Sequence, residues 1–322
     1  MKKTLSMILA LMMLLALCGC AKPAAPAEQA APVEEASAPA EEAYVVGICQ
    51  LMEHESLDKA TQGFIDALTA EMEAAGKTVE FNTQVAGEAN LCTTVINTFT
   101  AKNVDLIMAN ATPALLAAAN ATTEIPVLGT SVTDYADTFS GNIPANVSGT
   151  SDAVPYDEQA QMMIDTLSLA AGDKVGVLYC TNESNSLIQY NAVKALFEEA
   201  GIVVEAYTFS ETTELQALVT SMVSEVKAVY VPSDNTVAQN DSIVGTICTE
   251  AKVPVYTSYG GAVCYASLSI DYYQLGAETG KMAADILLNG KAPADIAVAT
   301  LTPTVMYNDE LCAQLGISVP EA

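Results

Sequence analysis

Arginine and tryptophan are both absent from the 322 residues, and histidine occurs once, as His54. The 12 basic residues are therefore all lysine, and against 39 acidic residues they leave a net charge of −27. Such a chain lacks the basic footprint that a phosphate backbone requires, which excludes nucleic acid as a partner. Without arginine there is also no guanidinium fork, the commonest side-chain grip on a carboxylate or phosphate. An anionic group on a ligand must then be met by lysine, by hydroxyls or by the N–H groups that open a helix. One histidine, with no G-x-S-x-G, P-loop or G-x-G-x-x-G, leaves no recognisable catalytic or nucleotide-binding constellation. The chain is read as a non-enzyme without cofactor. No two cysteines form C-x-x-C, and a zinc cluster would be poorly supplied. Cys49, Cys92, Cys180, Cys248, Cys264 and Cys312 mostly sit in apolar runs and are read as buried free thiols, with no chemistry assigned.

What the chain does have begins with its leader. Lys2 and Lys3 precede an apolar run over 5–17 that is short for a membrane span. The run ends in Leu17-Cys18-Gly19-Cys20, which resembles a bacterial lipobox with Cys20 as the lipidated residue. Residues 1–19 are then a signal peptide, and the protein is extracytoplasmic and lipid-anchored. Residues 20–43 are almost entirely Ala, Pro and Glu, too poor in large apolar side chains to repay ordering, and read as a tether.

From residue 44 onward, strand and helix patterns alternate. An apolar strand over 44–49 precedes a helix with Leu57, Ala60, Phe64, Leu68 and Met72 on one face, ending at Gly76. Strands follow at 79–84, 104–109 and 126–130, with helices at 88–101 and 113–121 between them. After a loop at 131–153 a second series runs from a helix at 155–170 through strands at 174–179, 202–207, 228–231 and 254–257. Its intervening helices lie at 186–200, 211–224 and 236–250, and a last long helix starts at Asp271. Alternation of this kind specifies α/β architecture with parallel sheets covered on both faces, here as two domains.

Ligands in open parallel sheets sit beyond the carboxyl ends of the strands. The candidate site residues are therefore the polar ones there: Gln50 and Glu53, Thr112, Asp134, Asn185 and Ser186, Asp234 with Asn235 and Thr236, Tyr259, and Asp271. A ligand ammonium would meet Asp234 or Asp134; Thr112, Asn185 and Ser186 suit a carboxylate. Each has a competing structural reading, because Asp, Asn, Ser and Thr in these positions also cap helices.

The segments GICQLMEHESLD, ATPA, SVTD, VGVLY with NESNS, PSDNTV and SIDYYQLGAETGKMA stand in the order found in one family. They resemble the substrate-binding lipoproteins of ABC transporters that include tryptophan- and tyrosine-binding members, over about 44–318. The resemblance implies a periplasmic-binding-protein fold of class I type, with two Rossmann-like lobes closing on a ligand about a hinge. It implies a first domain of 44–152 completed by 266–300, and a second of 153–265 completed by 301–322. It further implies a monomer that carries a small, amino acid-like ligand to a permease and its ATPase. A sugar or nucleoside ligand, and a sensor coupled to a signalling partner, are the rival readings.

Overall fold

The computed structural model describes residues 43–320, which form part of one compact unit. The signal peptide, Cys20 and the tether expected before residue 43 lie outside the described residues. The first lobe opens with β1 (Tyr44–Gln50), α1 (Glu55–Ala74), β2 (Val79–Val85), α2 (Cys92–Ala101) and β3 (Leu106–Asn110). It continues through α3 (Thr112–Ala121), β4 (Val127–Val132), α4 (Tyr135–Thr138) and β5 (Val147–Ser151). The second lobe contains α5 (Tyr156–Leu167), β6 (Lys174–Cys180), α6 (Ser184–Glu199), β7 (Val203–Phe209), α7 (Thr212–Met222) and β8 (Ala228–Val231). After these come α8 (Asn235–Gln239), α9 (Asp241–Glu250), β9 (Val255–Thr257) and β10 (Ala266–Ser269). The chain then runs through α10 (Tyr272–Asn289), β11 (Ala299–Thr300), β12 (Thr304–Tyr307) and α11 (Asp309–Leu315).

Two six-stranded sheets result, ordered β2-β1-β3-β4-β5-β11 and β7-β6-β8-β9-β10-β12. The orders correspond strand for strand, and only β12, on β10, runs antiparallel. Each sheet buries both faces, as continuous apolar strands require. In β3, Leu106 and Met108 join one core while Ile107 and Ala109 join the other. In β8, Val229 and Val231 point to one side and Ala228 and Tyr230 to the opposite one. All six cysteines of the described body are buried and free.

The sheets correct two sequence expectations. The stretch 131–153, expected as a loop, holds β5, a short strand of sequence VSGTS that lacks the large apolar run of a core strand. Its burial comes from partners distant in sequence: Ser148 Oγ donates to the Ile296 carbonyl, and the Thr150 hydroxyl pairs with that of Thr279 on α10. Secondly, residues 266–269, expected in the first lobe, form β10, paired with β9 and β12 in the second sheet. The chain therefore returns to the first lobe after Ser269, and it passes between sheets at 152–155, 270–271 and 301–303.

Helix α10 packs along α1 so closely that side chains are excluded at the crossing. A Cβ on Gly276 would stand 1.9 Å from the Ala60 carbonyl oxygen, and one on Gly63 2.0 Å from that of Tyr273. Gly276→Ala must push the helices apart, and overpacking of this kind costs roughly 1–3 kcal/mol. Thermal denaturation should show the loss; an unchanged midpoint would mean that the helices separate freely.

Candidate functional site

The carboxyl ends of the two sheets face each other, and the loops leaving them enclose a small cavity. The first lobe contributes His54, Ser56 and Leu57 from the start of α1, Ser131 from β4, and Asp152 just beyond β5. Ser233, Asp234, Asn235 and Tyr259 come from the loops after β8 and β9, and Tyr272 from the start of α10. The cavity measures about 10 Å³, room for about one water molecule, so a larger ligand enters only as the lobes part. A groove of about 850 Å³ adjoins it, sharing His54, Ser56, Tyr259 and Tyr272. A second groove, of about 520 Å³, runs past Met52, Glu183 and Thr236.

Two polar atoms of the first lobe are buried in this place without a hydrogen-bond partner, Ser131 Oγ and Asp152 Oδ1. Ser131 lies in an irregularity of β4, where the register against β5 shifts between Gly129 and Val132, and its φ of 55° is left-handed. Such a bulge re-aims a side chain at the end of a strand. Asp152 is only 5% exposed, and its other oxygen accepts from the Tyr272 hydroxyl at 3.1 Å. Burial raises its pKa to about 6, although the hydroxyls of Tyr272 and Thr133 and its own backbone N–H pull it back. No lysine lines the cavity. Helix α1 presents its N-terminus there, and no side chain caps it, so its first N–H groups remain available to an anion.

The second lobe's side of the cavity is, by contrast, a saturated network. Asp234 Oδ1 accepts from Val237 N at 2.9 Å, and Oδ2 from Cys180 N at 2.7 Å and Ser186 Oγ at 2.8 Å. Burial, and then the nearby Glu183 carboxylate, hold its pKa well above the usual range. The residue expected to bind an ammonium thus caps α8 and ties β6 and α6 to it. Glu183 is 2% exposed and closes the same helix start. It takes Asn235 N and Nδ2 at 3.0 and 2.6 Å on one oxygen, and Thr236 N and Oγ1 at 2.7 Å on the other. That helix start is therefore filled by the chain's own anion. Asn185 donates to the Ser233 carbonyl at 2.7 Å, while its Oδ1 is buried without a partner.

Side-chain hydrogen bonds also cross between the lobes. His54 Nε2 lies 3.1 Å from Asn235 Oδ1, and Gln189 Nε2 donates to Thr133 Oγ1 at 3.2 Å. Burial lowers the pKa of His54, with Asn235, Glu183 and Asp58 opposing, which disfavours its cationic form.

Of the residues expected from sequence, Asp234, Asn235 and Tyr259 line the cavity. Tyr259 donates to Asp241 Oδ1 at 2.6 Å and also lines the larger groove, as does Asp271, an exposed cap of α10. Thr236 lines the second groove. Gln50 is turned into the first lobe, donating to the Met52 carbonyl and Asp58 and accepting from Thr61. Glu53 is exposed, Thr112 is buried at the head of α3, and Asp134 caps α4 through Asp137 N. None of Gln50, Glu53, Thr112, Asp134, Asn185 or Ser186 is among the cavity's lining. Asp152 and Tyr272 are residues that the sequence did not single out as ligand contacts. The signal that could have found Asp152 is an acid at the end of a strand, but its strand was itself hidden.

The model of the ABC transporter substrate binding protein family matches residues 45–322. A tyrosine-binding protein of Clostridioides difficile is 34% identical over 284 residues, covering 84% of this chain and 81% of that protein. The crystal structure of a Streptococcus pneumonia ABC domain in complex with L-Trp superposes with a TM-score of 0.77 at 31% identity, covering 85% of this chain and 96% of that one. A ligand-free, open substrate-binding protein with adhesive properties from Clostridium difficile is 34% identical, covers 86% and 96%, and superposes at 0.64. The chain thus superposes better on the L-Trp complex than on the open structure, at similar identity.

Proposed function

The chain belongs to the ABC transporter substrate-binding protein family, and from that membership we propose that it captures an α-amino acid, aromatic in side chain, between its lobes. The observation that carries the reading is the cavity itself, lined from both lobes and holding buried polar atoms without partners. Buried polar atoms are normally hydrogen-bonded, and Ser131 Oγ and Asp152 Oδ1 are free to pair with a polar ligand in this cavity. The relatives that bind tyrosine and L-Trp support an aromatic amino acid, as does the adjoining groove, where Tyr259, Ile270, Tyr273 and Met306 offer apolar surface. Residues contributed by both lobes would tie ligand binding to lobe closure.

In this reading the protein is a binding component rather than a catalyst, and hands its ligand to a permease driven by an ATPase. The leader and Cys20 support an extracytoplasmic lipoprotein, with 20–43 as the tether. Cys20→Ala should release the protein from the membrane fraction; retention there would overturn Cys20 as the anchor.

Thermal unfolding of the purified protein against the twenty amino acids, sugars and nucleosides tests the ligand class. A ligand at 100 times its dissociation constant stabilises by about 2.7 kcal/mol, a shift of roughly 5–10 °C for a body of this size. L-Tyrosine or L-tryptophan should produce it. A shift from sugars or nucleosides alone would refute the amino acid reading while leaving the fold intact.

A further inference from the structure

We propose that Asp152 is the residue that receives the ligand's ammonium group, with Ser131 and the opening turn of α1 taking the anionic end. The proposal rests on the amino acid reading above and assigns that site its chemistry. Asp152 is buried, lines the cavity, and keeps one oxygen without a partner. Its backbone is fixed, with Asp152 N bonded to the Val132 carbonyl at 3.2 Å and Tyr272 holding the second oxygen. A buried carboxylate normally has a cation beside it, and here the chain provides none: no lysine lines the cavity and arginine does not occur. An ammonium group on a ligand would supply that positive charge. Asp234, the other carboxylate on the cavity, already accepts three hydrogen bonds. The anionic end has its own partners in Ser131 Oγ, buried and unpartnered, and in the uncapped start of α1.

The groups that face Asp152 are His54, Asp234, Tyr259 and Tyr272 around the cavity, with Tyr135 on α4, Tyr156 on α5 and Asp134 behind them. Asp241, hydrogen-bonded to Tyr259, titrates in the same range as Asp152, at about 6. A pH profile of the wild type alone would mix these groups, so the variant is needed to isolate one.

The test is calorimetric titration of the wild type and Asp152→Asn with L-tyrosine, L-tryptophan and their deaminated acids, 3-(4-hydroxyphenyl)propionate and 3-(indol-3-yl)propionate. For the wild type, the amino acids should bind, the deaminated acids should bind far more weakly, and the dissociation constant should rise about tenfold per pH unit below 6. In Asp152→Asn, amino acid binding should fall at least 100-fold, the preference over the deaminated acid should vanish, and most of the pH dependence should go with it. Equal amino acid binding by both proteins would overturn Asp152's role and leave the functional reading standing. A wild type that binds no amino acid overturns both. If the variant unfolds, the wild-type preference for the ammonium-bearing ligand still decides: deaminated acids bound as tightly as the amino acids overturn the proposal.

Discussion

Asp152→Asn should yield a protein more stable than the wild type at neutral pH, while removing ligand binding. Most substitutions of a buried, hydrogen-bonded residue destabilise, so the sign is diagnostic. The pKa of Asp152 stands near 6 in the folded protein against a starting value of 3.8. A carboxyl whose folded pKa is raised holds its proton more tightly when folded, so its ionisation opposes folding. The cost is nil below pH 3.8, builds between 4 and 6, and is complete above 6. At about 1.4 kcal/mol per pKa unit it amounts to about 3 kcal/mol at pH 7 and about 1 kcal/mol at pH 4.5. Asparagine keeps the shape and an oxygen for the Tyr272 hydroxyl, but has no charge to strand. Calorimetric unfolding should place the variant's midpoint roughly 5–10 °C above the unliganded wild type at pH 7, with the gap shrinking at pH 4.5. A lower midpoint, or a gap that ignores pH, would mean that the carboxylate already has its partners within the chain.

This residue also marks where sequence reasoning stops. The long apolar strands and amphipathic helices were legible because burial on two faces demands continuous apolar runs, as in β1, β3 and β6, and because α1 and α10 carry their core side chains at helical spacing. β5 was not, since VSGTS carries neither signal; it is a strand because β4 pairs with it and α10 supplies hydroxyl partners. Once β5 read as loop, the acid at its end had no reason to stand out. The same limit sorted the candidates. Asp234, Asn235 and Tyr259 reach the cavity, whereas Gln50 and Asn185 turn into the lobes. Polar residues after a strand are what both a helix cap and a ligand demand. Only the distances show which donors are already engaged. The absence of arginine, visible from composition alone, proved the more informative clue, because it is what leaves a buried carboxylate unanswered.

Glu183 supplies the opposite case and the second large effect. It is buried as deeply as Asp152, yet both its oxygens are engaged, by the backbone N–H and side chains of Asn235 and Thr236. Glu183→Gln retains one oxygen and turns an amide toward two donors that had been hydrogen-bonded to the other. Buried donors left without an acceptor cost about 1–3 kcal/mol each. Removing a buried charge offsets part of that, and a net loss of roughly 2–4 kcal/mol is expected from the same range. Glu183→Ala abandons the donors of Asn235 and Thr236 together and should cost about 3–5 kcal/mol. Because Asn235 also meets His54 across the lobes at 3.1 Å, both variants should weaken closure as well as fold. Asp152→Asn and Glu183→Gln are the same chemical change, a carboxylate to its amide at a buried site. Unfolding measured side by side at pH 7 should nonetheless move the two midpoints in opposite directions. If both rose, the donors around Glu183 would be met by water rather than by its carboxylate. If both fell, Asp152 would be a structural acid like Glu183, and the cavity would have no charge reserved for a ligand.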